Sequence, residues 1–183
     1  MLLIRKATIN DLESVLSIYS EAREKFAVEK TFQWKNGYPN AMNFISDLNN
    51  NVVIVAVVDN TIAGVATIME QIDVNYENCD TVKWLNDEKY LSIHRIAVGK
   101  EFYKKHVGSS LVKYILEYAL NKGIKNVKVD THVNNHDMKK LIEKYEFKYC
   151  GVIKLLDKNE LRDAYQRVLY EESWIKMSRY WLF

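Results

Sequence analysis

The stretch from residue 91 to residue 147 constrains this chain more than any other. It runs strand, polar turn, helix, strand, polar turn, helix. Residues 91–98 and 127–132 have the β-branched content of strands. Between them, Val107, Leu111, Val112, Ile115 and Ala119 fall on one face of a helix over about 106–121. Gly123 is placed to end that helix in a left-handed conformation. Residues 135–145 carry Met138, Leu141, Ile142 and Tyr145 at i, i+3, i+4 and i+7, which predicts a second helix. Strands joined through helices pack those helices on the faces of their sheet.

The flanking segments add hairpins to this unit. Residues 3–6 read as a first strand. Thr8 with Asp11 resembles a capping box with Asp in place of Glu. Leu12, Val15, Leu16 and Tyr19 form the apolar face of the helix that it opens. Pro39 suits the first turn of another helix, which carries Phe44, Ile45 and Leu48. Residues 52–58 and 61–69 pair about an Asp59-Asn60 turn, with Gly64 marking a bulge. Residues 71–88 form a polar connection anchored by Trp84 and Leu85, and 147–156 and 161–170 read as two final strands. The predicted fold is α/β, with a mixed, mostly antiparallel sheet and helices on both faces.

Composition narrows the function. A chain of 183 residues with 48% hydrophobic content has the material for one domain with a sizeable core. The balance of 26 basic and 24 acidic residues is too even to favour nucleic acid or an anionic membrane. The longest apolar run, 52–58, is far short of the roughly 20 residues of a membrane-spanning helix. Cys79 and Cys150 are isolated. The N-terminus turns charged at Arg5 and Lys6 without the long apolar region of an export signal, so a cytoplasmic location is expected.

Chemistry is expected at the turn 101–110, where a helix starts directly after a strand. First-turn N–H groups lack intrahelical partners and sit at the positive end of the helix dipole, which suits a phosphate. Lys104 and Lys105 add charge there, and Gly108 lets the backbone come close. The same residues also serve simply to begin a helix.

Three segments in this order and spacing resemble the coenzyme A-binding core of the GNAT superfamily of N-acetyltransferases. They are Ile93-His94-Arg95-Ile96-Ala97-Val98, then Tyr103-Lys104-Lys105-His106-Val107-Gly108, then Asn135, Met138, Leu141, Ile142, Glu146 and Phe147. The opening Ile4-Arg5-Lys6-Ala7-Thr8, with Asp11 and Leu12, is also similar to that family's start. The resemblance covers residues 3–170. It implies a single GNAT-like domain over 1–170, acetyl-coenzyme A as co-substrate and no metal. It implies that Ile96, Ala97 and Val98 hold the pantetheine arm and thioester through their backbone. By the same resemblance, Tyr103, Lys104, Lys105, His106, Val107, Gly108 and Ser109 form the pyrophosphate turn, and Asn135 contacts the pantetheine arm.

The sequence departs from the family pattern at four positions, one of them Glu146 in place of the Gly before Phe147. Tyr103 stands where Arg or Gln is usual, His106 replaces a Gly, and Ile142 stands where many relatives have a Tyr thought to protonate the leaving thiolate. That role does not pass to Ile142. Tyr145, on the same helix, stands with His94 as a catalytic candidate. A thiol with a free pKa of about 8.5 leaves with little acid help near neutral pH.

His94 lies two residues before Ile96, on the same face by strand alternation. It reads either as the base that deprotonates an amine or as a core-lining histidine. Arg95, on the opposite face, reads as the partner of a structural ion pair. Gln33, Trp34 and Tyr38 lie in the segment that covers the acceptor site in GNAT relatives, though the two aromatics read equally as pins of that loop. Arg162, with Tyr165 on the last hairpin, is a candidate to hold an acceptor carboxylate. His132 and His136 straddle a strand end and a loop with no clear third ligand, so no metal is expected.

Residues 171–183 end in an apolar tail, Trp174 to Phe183, expected to pack on the domain or across a homodimer. The function expected is acetyl transfer from acetyl-coenzyme A to a small-molecule or peptide amine, by direct attack in a ternary complex. No grouped nucleophile is visible. The alternatives are a non-catalytic coenzyme A-binding sensor or partner module, and a protein-modifying acetyltransferase.

Overall fold

The alternation of strand and helix periods resolves into a seven-stranded sheet with helices on both faces. The computed structural model describes residues 1–170 apart from 32, 78 and 157–159. In chain order the elements are β1 (Leu2–Lys6), α1 (Leu12–Val28), α2 (Ala41–Asn49), β2 (Val53–Val58), β3 (Thr61–Met69), α3 (Val74–Glu77) and β4 (Tyr90–Val98). They continue with α4 (Val107–Asn121), β5 (Asn126–Thr131), α5 (His136–Lys144), β6 (Lys148–Leu155) and β7 (Glu160–Val168). The strand order is β1-β2-β3-β4-β5-β7-β6. Among the described residues, only the β4–β5 pair is parallel. The single domain of mixed, mostly antiparallel sheet matches the sequence expectation. The four-residue α3 is an addition to it. The apolar tail at 171–183 lies outside the described residues, as does any interface it forms. Among the described residues, no helix is long and apolar enough to cross a membrane.

Strand alternation sends the two larger core clusters to opposite faces of the sheet. Val53, Val55, Val65 and Ala97 meet Val15, Ile18, Tyr19, Ala22 and Phe26 of α1 and Phe44 of α2 on one face. On the other, Ile54, Ala66, Leu91, Ile93, Val127 and Val129 meet the apolar side of α4, with Met138 and Ile142 of α5. Helix starts follow local chemistry. Asp11 accepts a hydrogen bond from the Thr8 N–H at 2.8 Å, completing the expected capping box. The second helix departs from expectation: Pro39 precedes it, and Asn40 caps it by accepting from the Asn43 N–H at 3.2 Å. Trp84 anchors the 71–88 connection, its ring N–H donating to the Tyr76 carbonyl at 3.1 Å. The Leu85 side chain is exposed, and that residue anchors through its backbone N–H, which donates to Gln166.

Two irregularities set up the site. The β2–β3 register shifts where Ala56 faces Gly64 and Val57 faces Ile62, so the extra residue of the bulge is Ala63, next to Gly64. A Cβ at Gly64 would lie 2.9 Å from Val107 Cγ1, so the glycine lets α4 press directly onto β3. The second bulge is on β4. Thr67 faces His94 and Val65 faces Ala97, which leaves one extra β4 residue between them. Arg95, within this bulge, has φ +48°. β4 parts from β5 just before this bulge, their pairing ending at Ile93 and Val129.

Candidate active site

The parting of β4 and β5 opens a cleft of about 1000 Å³. Val98, Ile96 and Leu141 line one end of it, beside the segment of β4 left without a β5 partner. The chain then turns sharply into α4. Lys104 and His106 take left-handed conformations, with φ of +60° and +62°. His106 therefore stands, at some cost in strain, in a conformation that glycine adopts freely, which accounts physically for the glycine usual at this position. The turn brings Val107, Gly108 and Ser109, the first turn of α4, into the cleft wall.

This end of the cleft has the donors that a diphosphate needs. First-turn N–H groups converge with Lys104 and with Lys140 and Lys144 from α5. Lys144 Nζ donates to Ser109 Oγ at 3.0 Å. A Cβ added at Gly108 would make only ordinary contacts, 3.6 Å to Leu141 Cδ2 and 3.6 Å to Val98 Cγ2, both on cleft residues. The chain's own packing does not demand glycine there. A strand edge for an amide-bearing arm and a basic helix start for phosphates fit coenzyme A. Lys105 differs from expectation: it does not line the cleft but sits over the Phe102 ring, 5.3 Å from its centroid. Tyr103, in place of the usual Arg or Gln, lies under Lys25 Nζ at 4.8 Å, and Lys25 in turn pairs with Asp137.

Asn135 caps α5, its Oδ1 accepting from the Met138 N–H at 3.1 Å. Its Nδ2 donates to Gln33 Oε1 at 3.1 Å, which joins the loop after α1 to the start of α5. Trp34 and Tyr38 line the cleft as expected, and both are also pinned. Trp34 stands edge-on to Tyr19 and Phe26, with centroids 5.6 and 5.4 Å away. The Tyr38 hydroxyl accepts from Arg95 Nη1 at 2.8 Å.

At the other end His94 is half-buried. Its Nε2 lies 2.9 Å from Ser92 Oγ and 3.4 Å from Asp73 Oδ2, and its ring stacks on Tyr76 at 6.2 Å and 22°. Burial pushes the imidazole below its usual 6.5, against the opposing pull of Asp130 and Asp73. His94 is therefore neutral at pH 7, the form that accepts a proton. An Nε2–H directed at Asp73 and Ser92 leaves Nδ1 as the basic nitrogen. Among the described residues, Nδ1 has no hydrogen-bond partner. Asp130 accepts from the Tyr76 hydroxyl at 2.7 Å and lies 4.0 Å from Arg162 Nε. Arg162 also pairs with Glu160.

The bulge corrects the simple alternation expected for β4, since His94, Arg95 and Ile96 all line the cleft. Arg95 forms the expected ion pair, with Asp47. Tyr145 does not line the cleft. Its buried hydroxyl donates to the Ser109 carbonyl at 2.6 Å, fastening the start of α4 to the end of α5. Sequence reasoning missed Asp73, Tyr76, Lys140 and Lys144. The i, i+4 spacing of the two lysines on the polar side of a helix was a usable signal. Asp73, in an irregular connection, and Tyr76, in the four-residue α3, gave none.

Comparison with known proteins agrees with this geometry. The acetyltransferase (GNAT) family matches residues 12–147. A GNAT-family acetyltransferase from Streptococcus agalactiae is 29% identical, with a TM-score of 0.80 over 93% of this chain and 96% of that one. An N-acetyltransferase from Staphylococcus aureus shares the fold at 20% identity and a TM-score of 0.67, covering 93% and 99% of the two chains. The ribosomal-protein-alanine N-acetyltransferase of Brucella melitensis does so at 20% and 0.67, covering 91% and 99%. No curated protein matches. With the family matched across most of the sheet and both cleft-lining helix starts, the chain belongs to the GNAT family of acetyltransferases.

Proposed function

We propose that the protein transfers the acetyl group of acetyl-coenzyme A to a primary amine by direct attack in a ternary complex. The observation that carries this reading is the position of His94. It is a neutral imidazole with a spare Nδ1, in the same cleft as the unpaired β4 backbone and the basic start of α4.

Acetyl-coenzyme A supplies the activated thioester. The backbone of Ile96, Ala97 and Val98 lies along its arm, and the first turn of α4, with Lys104, Lys140 and Lys144, neutralises its phosphates. An amine enters as the ammonium and must lose a proton to attack. His94 Nδ1 takes that proton and passes it to water. Across the reaction an N–C bond replaces the C–S bond, and the second proton lost by nitrogen ends on the sulfur. No strong acid is needed for a leaving thiolate. A small-molecule amine suits the cleft, and a peptide amine is the other acceptor class. Binding of coenzyme A without turnover defines the non-catalytic alternative.

The test is release of free thiol from acetyl-coenzyme A across a panel of amines, in the parent and in His94→Gln. Amine-dependent release, falling by about 10²- to 10⁴-fold in the variant, is expected for a general base. Binding of acetyl-coenzyme A with no amine-dependent release identifies a binding module instead.

A further inference from the structure

We infer that the acceptor is a primary amine with an apolar body and no anionic group beside the nitrogen: an alkyl- or arylalkylamine rather than an amino acid. This rests on the acetyltransferase reading above and names the acceptor class for the same cleft.

The first support is the charge inventory around His94. Asp73 lies 3.4 Å from its Nε2, and the charges of Asp130, Arg95 and Asp47 also act on it. Arg95 and Asp47 cancel through a two-pronged ion pair. Arg162, the cation that a substrate carboxylate would seek, lies between Asp130 and Glu160 and is almost fully buried. Asp73 has no Lys or Arg partner among the described residues, its one ion-pair partner being the neutral His94. An ammonium delivered to Nδ1 of His94 therefore meets uncompensated negative charge. A carboxylate one carbon from that nitrogen would enter the field of Asp73, which sits across the imidazole ring at Nε2, with its natural counter-ion already occupied.

The second support is the wall. Ile72 and Val74 flank Asp73 on the cleft, 72% and 58% exposed, and Met69 and Leu155 line the cleft with them. Single exposed apolar residues need no explanation, but two bracketing a carboxylate at a cleft offer a surface for an apolar substituent.

The experiment compares kcat/KM for matched acceptors: 2-phenylethylamine, phenylalanine, phenylalanine amide, spermidine and an uncharged tripeptide with a free N-terminus. Phenylethylamine is expected to exceed phenylalanine by at least about tenfold, with phenylalanine amide regaining most of the difference because its carboxylate is masked. Spermidine and the tripeptide are expected to trail phenylethylamine. In Asp73→Asn the ratio of phenylethylamine to phenylalanine should narrow several-fold, while calorimetric affinity for coenzyme A stays unchanged and reports that the variant is folded. Phenylalanine, spermidine or the tripeptide as the preferred acceptor would overturn the assignment and leave the acetyltransferase reading standing. An unchanged ratio in Asp73→Asn would overturn it equally. Acetyl-coenzyme A binding without turnover of any amine would instead bring down the acetyltransferase reading, and the acceptor class with it.

Discussion

Arg95 and Asp47, 48 residues apart in sequence, meet through two hydrogen bonds of 2.7 and 2.8 Å, from Nε and Nη2 to the two carboxylate oxygens. The pair holds the β4 bulge at the point where β4 leaves β5. Both side chains are mostly buried, and Asp47 also accepts from Thr67 Oγ1 at 3.1 Å. Asp47→Ala would strand a buried guanidinium and is expected to cost about 3 kcal/mol in urea denaturation. Arg95→Lys keeps the charge but loses the planar fork and should remain destabilised. Parent-like stability in Asp47→Ala would show that the bulge holds its shape without the pair.

The two glycines against α4 predict opposite outcomes. A Cβ at Gly64 meets Val107 Cγ1 at 2.9 Å and the Ala97 carbonyl oxygen at 3.1 Å, so Gly64→Ala is expected to lose about 1–3 kcal/mol by overpacking. At Gly108 the nearest atoms are 3.6 Å away, so Gly108→Ala should leave thermal stability nearly unchanged. The bulkier Gly108→Val should weaken coenzyme A binding by about tenfold, because its side chain projects where Val98 and Leu141 line the cleft. Equal calorimetric affinity in Gly108→Val and parent would remove the α4 turn as the phosphate cradle.

The pH dependence follows from His94. Its pKa in the folded protein is held below 6.5 by burial, and the base works only when neutral. The acid limb of kcat is therefore expected below pH 6.5, with the rate falling as pH drops through that pKa. Asp73 raises the pKa of His94, so Asp73→Asn should move the limb to still lower pH. The same depression lets the unfolded chain bind the proton first. This contribution to stability is thus present above about pH 6.5 and lost as pH falls towards the folded value. A kcat limb above 6.5, or one that Asp73→Asn moves upward, would contradict the assignment.

Tyr145 separates holding a helix from donating a proton. Its hydroxyl is buried against the Ser109 carbonyl at 2.6 Å. Tyr145→Phe is expected to cost about 1 kcal/mol of stability, the usual worth of one hydrogen bond. It should change kcat by no more than a few-fold. A loss of about a hundredfold in kcat, with stability intact, would identify the phenol as the acid after all.

Much of the fold was legible in the chain because the signals were local. Helical faces, the Thr8–Asp11 cap, the bulge beside Gly64 and the strand–turn–helix start at 98–108 each depend on residues a few positions apart. Most of the site residues named in advance line the cleft for the same reason. Ile96 to Val98, Lys104 and His106 to Ser109 follow one another along the chain, and all of them line the cleft. Lys105 and Tyr145 fell outside because a turn with left-handed residues at 104 and 106, and a buried phenol at a helix end, aim their side chains by tertiary packing.

By itself the sequence determined the order of the elements, the division of the core between two sheet faces and a basic, glycine-bearing turn at the head of α4. Tertiary structure alone decided the character of the cleft around His94. Whether Arg162 is available to a substrate depends on Glu160 and Asp130 beside it, and Asp130 comes from a different strand. Whether His94 is a base depends on burial and on Asp73, from an irregular connection that no period marks. The β4 bulge exists only relative to the register of β3. Periodicity records which face a residue prefers, but a charge is spent or spare only with respect to neighbours that the folded chain brings to it.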